Sequence, residues 1–162
     1  MPTHSTLKAM FGNSSEPHIH KSPLVGMSCL WLGLPGPWIM YHGYSFTALF
    51  NLAVAFCSIL ADYYFIGSVW DDIDRLVACS YIGWLVYLSI CFNGTALTVA
   101  VFLSLIVCPF LYSRSSNSKK EWEFRHTLWH VFGTFVQFLI MYGVFNPGCY
   151  AFLGFGSPVA TY

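Results

Sequence analysis

The sequence contains very little charge. Only 9% of its 162 residues are Asp, Glu, Lys or Arg, against about 25% in an average soluble domain. So few charged residues cannot cover the surface of a water-soluble domain, and 56% of the chain is hydrophobic. The formal net charge is zero and the basic residues form no dense patch, which excludes the phosphate contacts that nucleic-acid binding requires. These absences indicate an integral membrane protein.

Several common motifs are also missing from the sequence. The six cysteines include no C-x-x-C pair, so they indicate neither a zinc knuckle nor a redox motif. Most of them lie in apolar runs, where they are interpreted as small packing residues. The first 21 residues lack the short apolar stretch of a signal peptide. The chain is therefore expected to reach its membrane without a cleaved presequence.

Long apolar runs make up most of the sequence. A helix needs about 20 apolar residues to cross a bilayer, and continuous runs without period-two alternation predict helices instead of a barrel. The sequence therefore predicts an all-α polytopic membrane bundle of about four transmembrane helices plus one interfacial or re-entrant segment. The latter is 23–34, which Pro35 and Pro37 interrupt. The four helices are expected near 44–67, 75–92, 95–112 and 126–145.

The chain is expected to have three parts. A polar N-terminal tail covers 1–22, the transmembrane helical domain covers 23–145, and a tail rich in Gly, Pro and aromatic residues covers 146–162. Neither tail has enough apolar residues to bury a core of its own. Partner subunits would be needed to order such tails, which favours a protein that works inside a larger assembly.

The loops predict the orientation of the helices. Four crossings place the loop between the first two helices and the stretch 113–125 on the same side of the membrane. These two connections carry most of the Lys and Arg residues, whereas Lys8 and Lys21 are expected on the other side. By the positive-inside tendency, the more basic side faces the cytosol or an organelle matrix. The first of these loops is expected to carry Asp71, Asp72 and Asp74.

A group of polar residues on the predicted helices has the spacing of a metal site. His126 and His130 are four residues apart, so their rings share one helix face and can bind one metal ion together. Ser58 and Asp62 also share a face. The topology places both pairs, with Asp74, at the same leaflet, where we expect them to converge. Two histidines, one carboxylate and a water would form a catalytic zinc site, with a second carboxylate as base.

The segment H-T-L-W-H-V-F-G that begins at His126 resembles the last-helix motif of the alkaline ceramidases, adiponectin receptors and related membrane hydrolases, the CREST superfamily. Members of that family have seven spans and combine two histidines there with a Ser and a His four residues apart and an Asp on the next helix. Ser58 and Asp74 occupy the corresponding positions, and Asp62 replaces the earlier His. The resemblance implies zinc ligation by His126, His130 and Asp62, with Ser58 and Asp74 as oxyanion and acid/base groups.

The same residues also have simpler explanations. The two histidines can hydrogen-bond backbone or lipid headgroups at a helix entrance, and the favoured interpretation of Ser58 is a hydroxyl bonded to its own helix. The acidic loop is expected to be solvated, Asp74 being the exception. His42 lies toward the opposite leaflet, so a haem held between it and the fourth helix is disfavoured.

Two functions follow from these alternatives. The first is an accessory or structural transmembrane subunit of a larger complex, with other membrane subunits and lipids as partners and no cofactor. Its expected location is the inner membrane of an energy-converting organelle, the mitochondrion, or an endomembrane. The second is a zinc-dependent intramembrane hydrolase of a lipid amide or ester, similar to a ceramidase. A channel or transporter is disfavoured because the centres of the spans carry few polar residues and no charge.

Overall fold

The computed structural model describes residues 21–93 and 96–146, except for the side chains of residues 93–102. Within these ranges all regular structure is helical, as predicted, and nearly all of the two expected tails lies outside them. The helix Ser45–Ile59 continues directly into a π-helical turn, Leu60–Tyr64. The helices are α1 Pro23–Leu32, α2 Pro35–Tyr41, α3 Ser45–Ile59, α4 Val69–Asn93, α5 Ala96–Arg114 and α6 Lys119–Phe145.

Four helical stretches are long and apolar enough to cross a membrane. The first combines α1 with α2, and α5 adds a shorter apolar stretch, Leu103–Arg114. The prediction of a multi-pass bundle with about four membrane-spanning helices is thereby confirmed. The four stretches are Pro23–Tyr41, Ser45–Tyr64, Val69–Phe92 and Lys119–Phe145.

The first of these stretches, Pro23–Tyr41, corrects the prediction that 23–34 is an interfacial or re-entrant segment. Pro35 opens α2, and in the first turn of a helix a residue without an N–H group breaks no intrahelical hydrogen bond. The backbone N–H of Leu34 donates to the carbonyl of Trp31 at 3.0 Å, which carries the chain across the junction. The prolines therefore interrupt the helix without ending the membrane crossing.

A buried polar network holds the junction between α1 and α2. The Asn51 side-chain amide, which is fully buried, donates to the Leu32 carbonyl at 2.7 Å and to the side-chain oxygen of Gln137. Tyr81 also donates to that oxygen, at 3.3 Å. A Cβ on Gly36 would lie 2.9 Å from Asn51 Oδ1, so the chain passes very close to this amide. The Asn51 amide thus supplies a hydrogen-bond donor for the Leu32 carbonyl, at the end of α1, where carbonyls lack partners within the helix.

The acidic residues after α3 are helical, which corrects the prediction of an acidic loop. Helix α4 begins at Val69 and includes Asp71, Asp72 and Asp74. The Ser68 hydroxyl accepts a hydrogen bond from a backbone N–H two residues later, at 3.2 Å. Carboxylates in the first turns are stabilised by the exposed N–H groups and the dipole of the helix. The connection to α3 is therefore shorter than predicted, residues 65–68.

Helix α6 lies at the centre of the bundle, where it packs against α1, α2, α4 and α5. Its buried stripe includes Val136, Ile140 and Val144, which are spaced four residues apart and so lie on one face. Large apolar side chains such as Phe46 and Leu76 point outward instead. Apolar outer faces are what a lipid environment requires.

Every described Lys, Arg, Asp and Glu lies at one end of the bundle, here called the charged end. Lys21 is among them, because its Nζ lies 5.8 Å from the Tyr63 ring. The prediction that Lys21 lies on the other side is wrong, since 23–41 adds a crossing. His42 lies at the opposite end, as predicted, with its ring stacked on Phe145 at a centroid distance of 4.1 Å. The described basic residues are Lys21, Arg75, Arg114, Lys119, Lys120 and Arg125.

Candidate metal centre

The predicted metal ligands meet just inside the charged end. His126 and His130 project from α6 toward Asp62, which belongs to the π-helical turn after α3. The Nε2 atom of His126 lies 3.0 Å from Asp62 Oδ2, and the Nε2 atom of His130 lies 3.7 Å from the same oxygen. Two histidines on one helix thus converge on a single carboxylate oxygen.

The π-helical turn positions Asp62. In this turn the backbone N–H of Phe65 donates to the carbonyl of Leu60 at 2.7 Å, five residues earlier. The wider turn rotates Asp62 relative to Ser58, so the two side chains have different partners although they are four residues apart. Turns of this kind occur frequently at functional sites. Nothing in the spacing of the residues predicts this π-helical turn.

Ser58 and Asp74 form a second pair beside the first. The Ser58 hydroxyl donates to Asp74 Oδ1 at 2.6 Å and is buried. The interpretation that this hydroxyl bonds to its own helix is therefore wrong, and the bond joins α3 to α4 instead. The pair lies one turn before Asp62 on α3. A carboxylate held in one orientation by a hydroxyl is suited to accept or return a proton.

Ser28 fixes the tautomer of His130. Its hydroxyl lies 2.7 Å from His130 Nδ1 and donates its single proton to the Val25 carbonyl at 2.7 Å. The hydroxyl oxygen must therefore accept from an Nδ1–H group, which leaves a lone pair on Nε2. That lone pair and Asp62 Oδ2 are both acceptors. Two acceptors 3.7 Å apart in a buried site are well suited to hold a cation between them.

A serine on α5 holds the second histidine in a similar way. The Ser113 hydroxyl lies 3.0 Å from His126 Nδ1, and both residues are largely buried. Each histidine therefore contacts a serine through Nδ1 and approaches Asp62 through Nε2. Metal-binding histidines in proteins show this arrangement, since the group on the second nitrogen fixes the orientation of the ring.

Cys29 also lies against the carboxylate. Its Sγ atom is 3.7 Å from Asp62 Oδ2, and the sulfur, a carboxylate oxygen of Asp62 and a ring nitrogen of His130 lie within 4.8 Å of one another. The interpretation of this cysteine as a packing residue is incomplete. Sequence reasoning missed Ser28, Cys29 and Ser113 because single small polar residues in apolar runs have no spacing signal. A membrane-spanning α1 would have placed the first two at the correct leaflet.

The other two acidic residues of α4 have partners elsewhere. Asp71 accepts a hydrogen bond from the Gly67 backbone N–H at 3.1 Å, and Asp72 lies 3.9 Å from an Arg75 nitrogen. Both contacts are local to the start of α4. The expectation that Asp74 is the exception among the three fits these contacts, because it alone contacts another predicted site residue, Ser58.

Replacing Ser28 tests whether it orients a metal ligand. We expect Ser28→Ala to weaken zinc binding by about 10- to 100-fold, because the His130 ring loses the group that fixes its tautomer. The measurement is a competition titration of the purified chain against a chromophoric chelator. Ser89→Ala is the matched control, since Ser89 is equally buried but lies on α4 toward the other end. Equal affinities for the two variants would show that Ser28 has no such role.

The chain matches no protein-family model, no curated protein and no solved structure. The resemblance to the ceramidase and adiponectin-receptor superfamily therefore stays a prediction from short motifs. Function has to be inferred from the chemistry of the cluster itself.

Proposed function

We propose that this protein is a metal-dependent membrane hydrolase that cleaves an amide or ester bond of a lipid. The observation that supports the proposal is the convergence of His126 Nε2 and His130 Nε2 on Asp62 Oδ2. Two imidazole nitrogens and a carboxylate oxygen form a donor set that suits zinc. The tautomer that Ser28 imposes on His130 directs a lone pair at the same place.

The residues beside the donor set have suitable chemistry. A bound zinc ion would polarise a substrate carbonyl and acidify a water molecule. In this proposal Asp74 would accept a proton from the attacking water and return it to the leaving amine or alcohol. The Ser58 hydroxyl orients Asp74 by donating its single proton to that carboxylate, so it would stabilise a substrate oxyanion only after releasing Asp74.

The depth of the cluster favours a lipid substrate. At 1.5 Å per residue, His126 and His130 lie about 10 and 16 Å along α6 from its first residue, Lys119. All Lys, Arg and Glu residues of α6 precede them. The amide or ester linkage of a membrane lipid lies at this boundary between the polar surface and the hydrocarbon, so it can approach the cluster from within the bilayer.

The second candidate is an accessory subunit of a larger membrane complex. It is favoured by the hydrogen bonds of the same cluster, which join α1 to α6, α3 to α4, α5 to α6 and the π-helical turn to α6 without any metal. Interhelical bonds of this kind stabilise membrane bundles. In this proposal the partners are other membrane subunits and lipids, in a mitochondrial inner membrane or an endomembrane, and no cofactor is needed.

Metal content and native mass distinguish the two proposals. The full chain is purified in mild detergent, and zinc per polypeptide, particle mass and release of fatty acid from a ceramide are measured together. For the hydrolase we expect about one zinc per chain in a small particle, because both histidines approach the same carboxylate oxygen, that of Asp62. Both metal and fatty-acid release are expected to be lost in His130→Ala.

His42→Ala is the matched control, because His42 lies at the opposite end of the bundle and contacts Phe145. It should retain the metal and the activity. A chain without metal that migrates in a large, stable particle would contradict the hydrolase proposal and favour the accessory subunit.

A further inference from the structure

Cys29 is held close to the carboxylate by the packing of α1. A Cβ on Gly26 would lie only 2.8 Å from the Tyr63 ring, so the backbone of α1 packs directly against this side chain of the π-helical turn. Cys29 is three residues further along α1 and is completely buried. The close approach brings its Sγ atom to 3.7 Å from Asp62 Oδ2.

The distances around Asp62 match those between ligands of one metal ion. Zinc bonds of about 2.0 Å to oxygen or nitrogen and about 2.3 Å to sulfur, at tetrahedral angles, separate neighbouring donors by about 3.3–3.6 Å. The donor atoms of His126, His130 and Cys29 lie 3.0, 3.7 and 3.7 Å from Asp62 Oδ2. The sulfur therefore lies as far from Asp62 Oδ2 as the nitrogen of His130 does, and donor atoms of Cys29, Asp62 and His130 lie within 4.8 Å of one another.

The charges of these four donor groups balance those of a divalent ion. A thiolate and a carboxylate together carry two negative charges, and the two histidines ligate as neutral rings. With a divalent ion the four ligands are then neutral together, which suits a buried site inside a membrane protein, where a net charge is costly.

We infer that Cys29 is the fourth ligand of the metal, binding as a thiolate beside Asp62, His126 and His130. The inference rests on the proposed metal centre and adds a sulfur donor from α1. When the metal binds, the thiol proton is released to solvent. Four protein ligands leave no position for water, so the resting centre is closed, and a water or substrate carbonyl reaches the metal only when one protein donor leaves.

Cobalt spectroscopy tests this assignment directly. Co²⁺ is added to the full chain in mild detergent, and bound cobalt per chain and the near-ultraviolet thiolate-to-cobalt charge-transfer absorption are recorded. We expect the absorption in the unmodified protein and its loss in Cys29→Ser, with a loss of affinity on the order of 100-fold or more, since changes to outer-shell groups alone reduce affinity 10- to 100-fold. Cys108→Ser is the control, because Cys108 is exposed on α5, and it should keep the band.

Each result has a definite meaning. Stoichiometric cobalt without a charge-transfer band, or a band that survives in Cys29→Ser, would overturn the assignment of Cys29 and leave the proposed hydrolase centre intact. No binding of cobalt or zinc by the unmodified protein would overturn both. Loss of the band in Cys29→Ser alone, with cobalt still bound at high concentration, would establish the sulfur ligand.

Discussion

Asp62→Asn is expected to abolish metal binding, and hydrolysis with it, because every proposed donor meets at this carboxylate. The substitution keeps the shape of the side chain and removes its negative charge. Both histidines would then face a neutral amide, and the charge that balances the metal would be halved. We expect an affinity loss on the order of 100-fold or more, larger than for a change outside the ligand shell. Zinc per chain after dialysis measures it.

Asp72→Asn is the matched control for this experiment. Asp72 lies at the start of α4 and forms a half-exposed ion pair with Arg75, an interaction that contributes about 0–1 kcal/mol at most. The control should keep its metal and its thermal stability. If Asp62→Asn binds zinc as tightly as the control, the carboxylate is a structural partner of His126 and not a metal ligand, which contradicts the proposed centre.

Asn51→Leu is expected to lower the free energy of unfolding by about 1–3 kcal/mol, the usual range for leaving a buried polar group without a partner. The leucine would remove the donor for the Leu32 carbonyl and for Gln137, and its larger apolar end would meet Gly36. Unfolding in detergent by increasing denaturing surfactant measures the change. Metal affinity should fall as well, since α1 carries Ser28 and Cys29.

A control substitution and a double substitution show whether the loss of stability in Asn51→Leu comes from the Asn51–Gln137 hydrogen bond. Leu49→Ala lies on the same helix with an exposed side chain, so its effect should stay within about 0.5 kcal/mol. Gln137→Leu combined with Asn51→Leu should destabilise less than the sum of the two single changes, because both remove the same hydrogen bond. Additive effects would show that the Asn51–Gln137 bond does not stabilise the bundle.

The helices could be predicted from the sequence because long apolar runs have no alternative structure inside a bilayer. The ends of α1 and α4 could not. Pro35 predicts the end of a helix, but a proline is tolerated in the first turn of a new one. Asp71, Asp72 and Asp74 predict a loop, but carboxylates also stabilise helix starts. In both cases a residue type that favours loops was instead placed at a helix N-terminus.

The candidate site could be predicted only where spacing carried information. His126 and His130 are four residues apart on a regular helix, so their common direction follows from the sequence. The partner of Ser58 depends on how α3 packs against α4, and the direction of Asp62 depends on a π-helical turn with no sequence signal. To predict Cys29 as a site residue, one would have to know that α1 enters the membrane beside α3. Tertiary contacts of this kind are absent from any local pattern.

The one-sided distribution of charge has a consequence for how the chain enters a membrane. The connections α2–α3 and α4–α5 contain no Lys, Arg, Asp or Glu. Each can therefore cross the hydrocarbon core during insertion without carrying a charged side chain. Residues 23–64 and 69–114 can therefore insert as two independent hairpins, followed by α6. The first hairpin brings Cys29 and Asp62, the second brings Asp74 and Ser113, and α6 brings both histidines. No single insertion unit contains all of the proposed ligands, so the proposed metal could bind only after all three units have assembled.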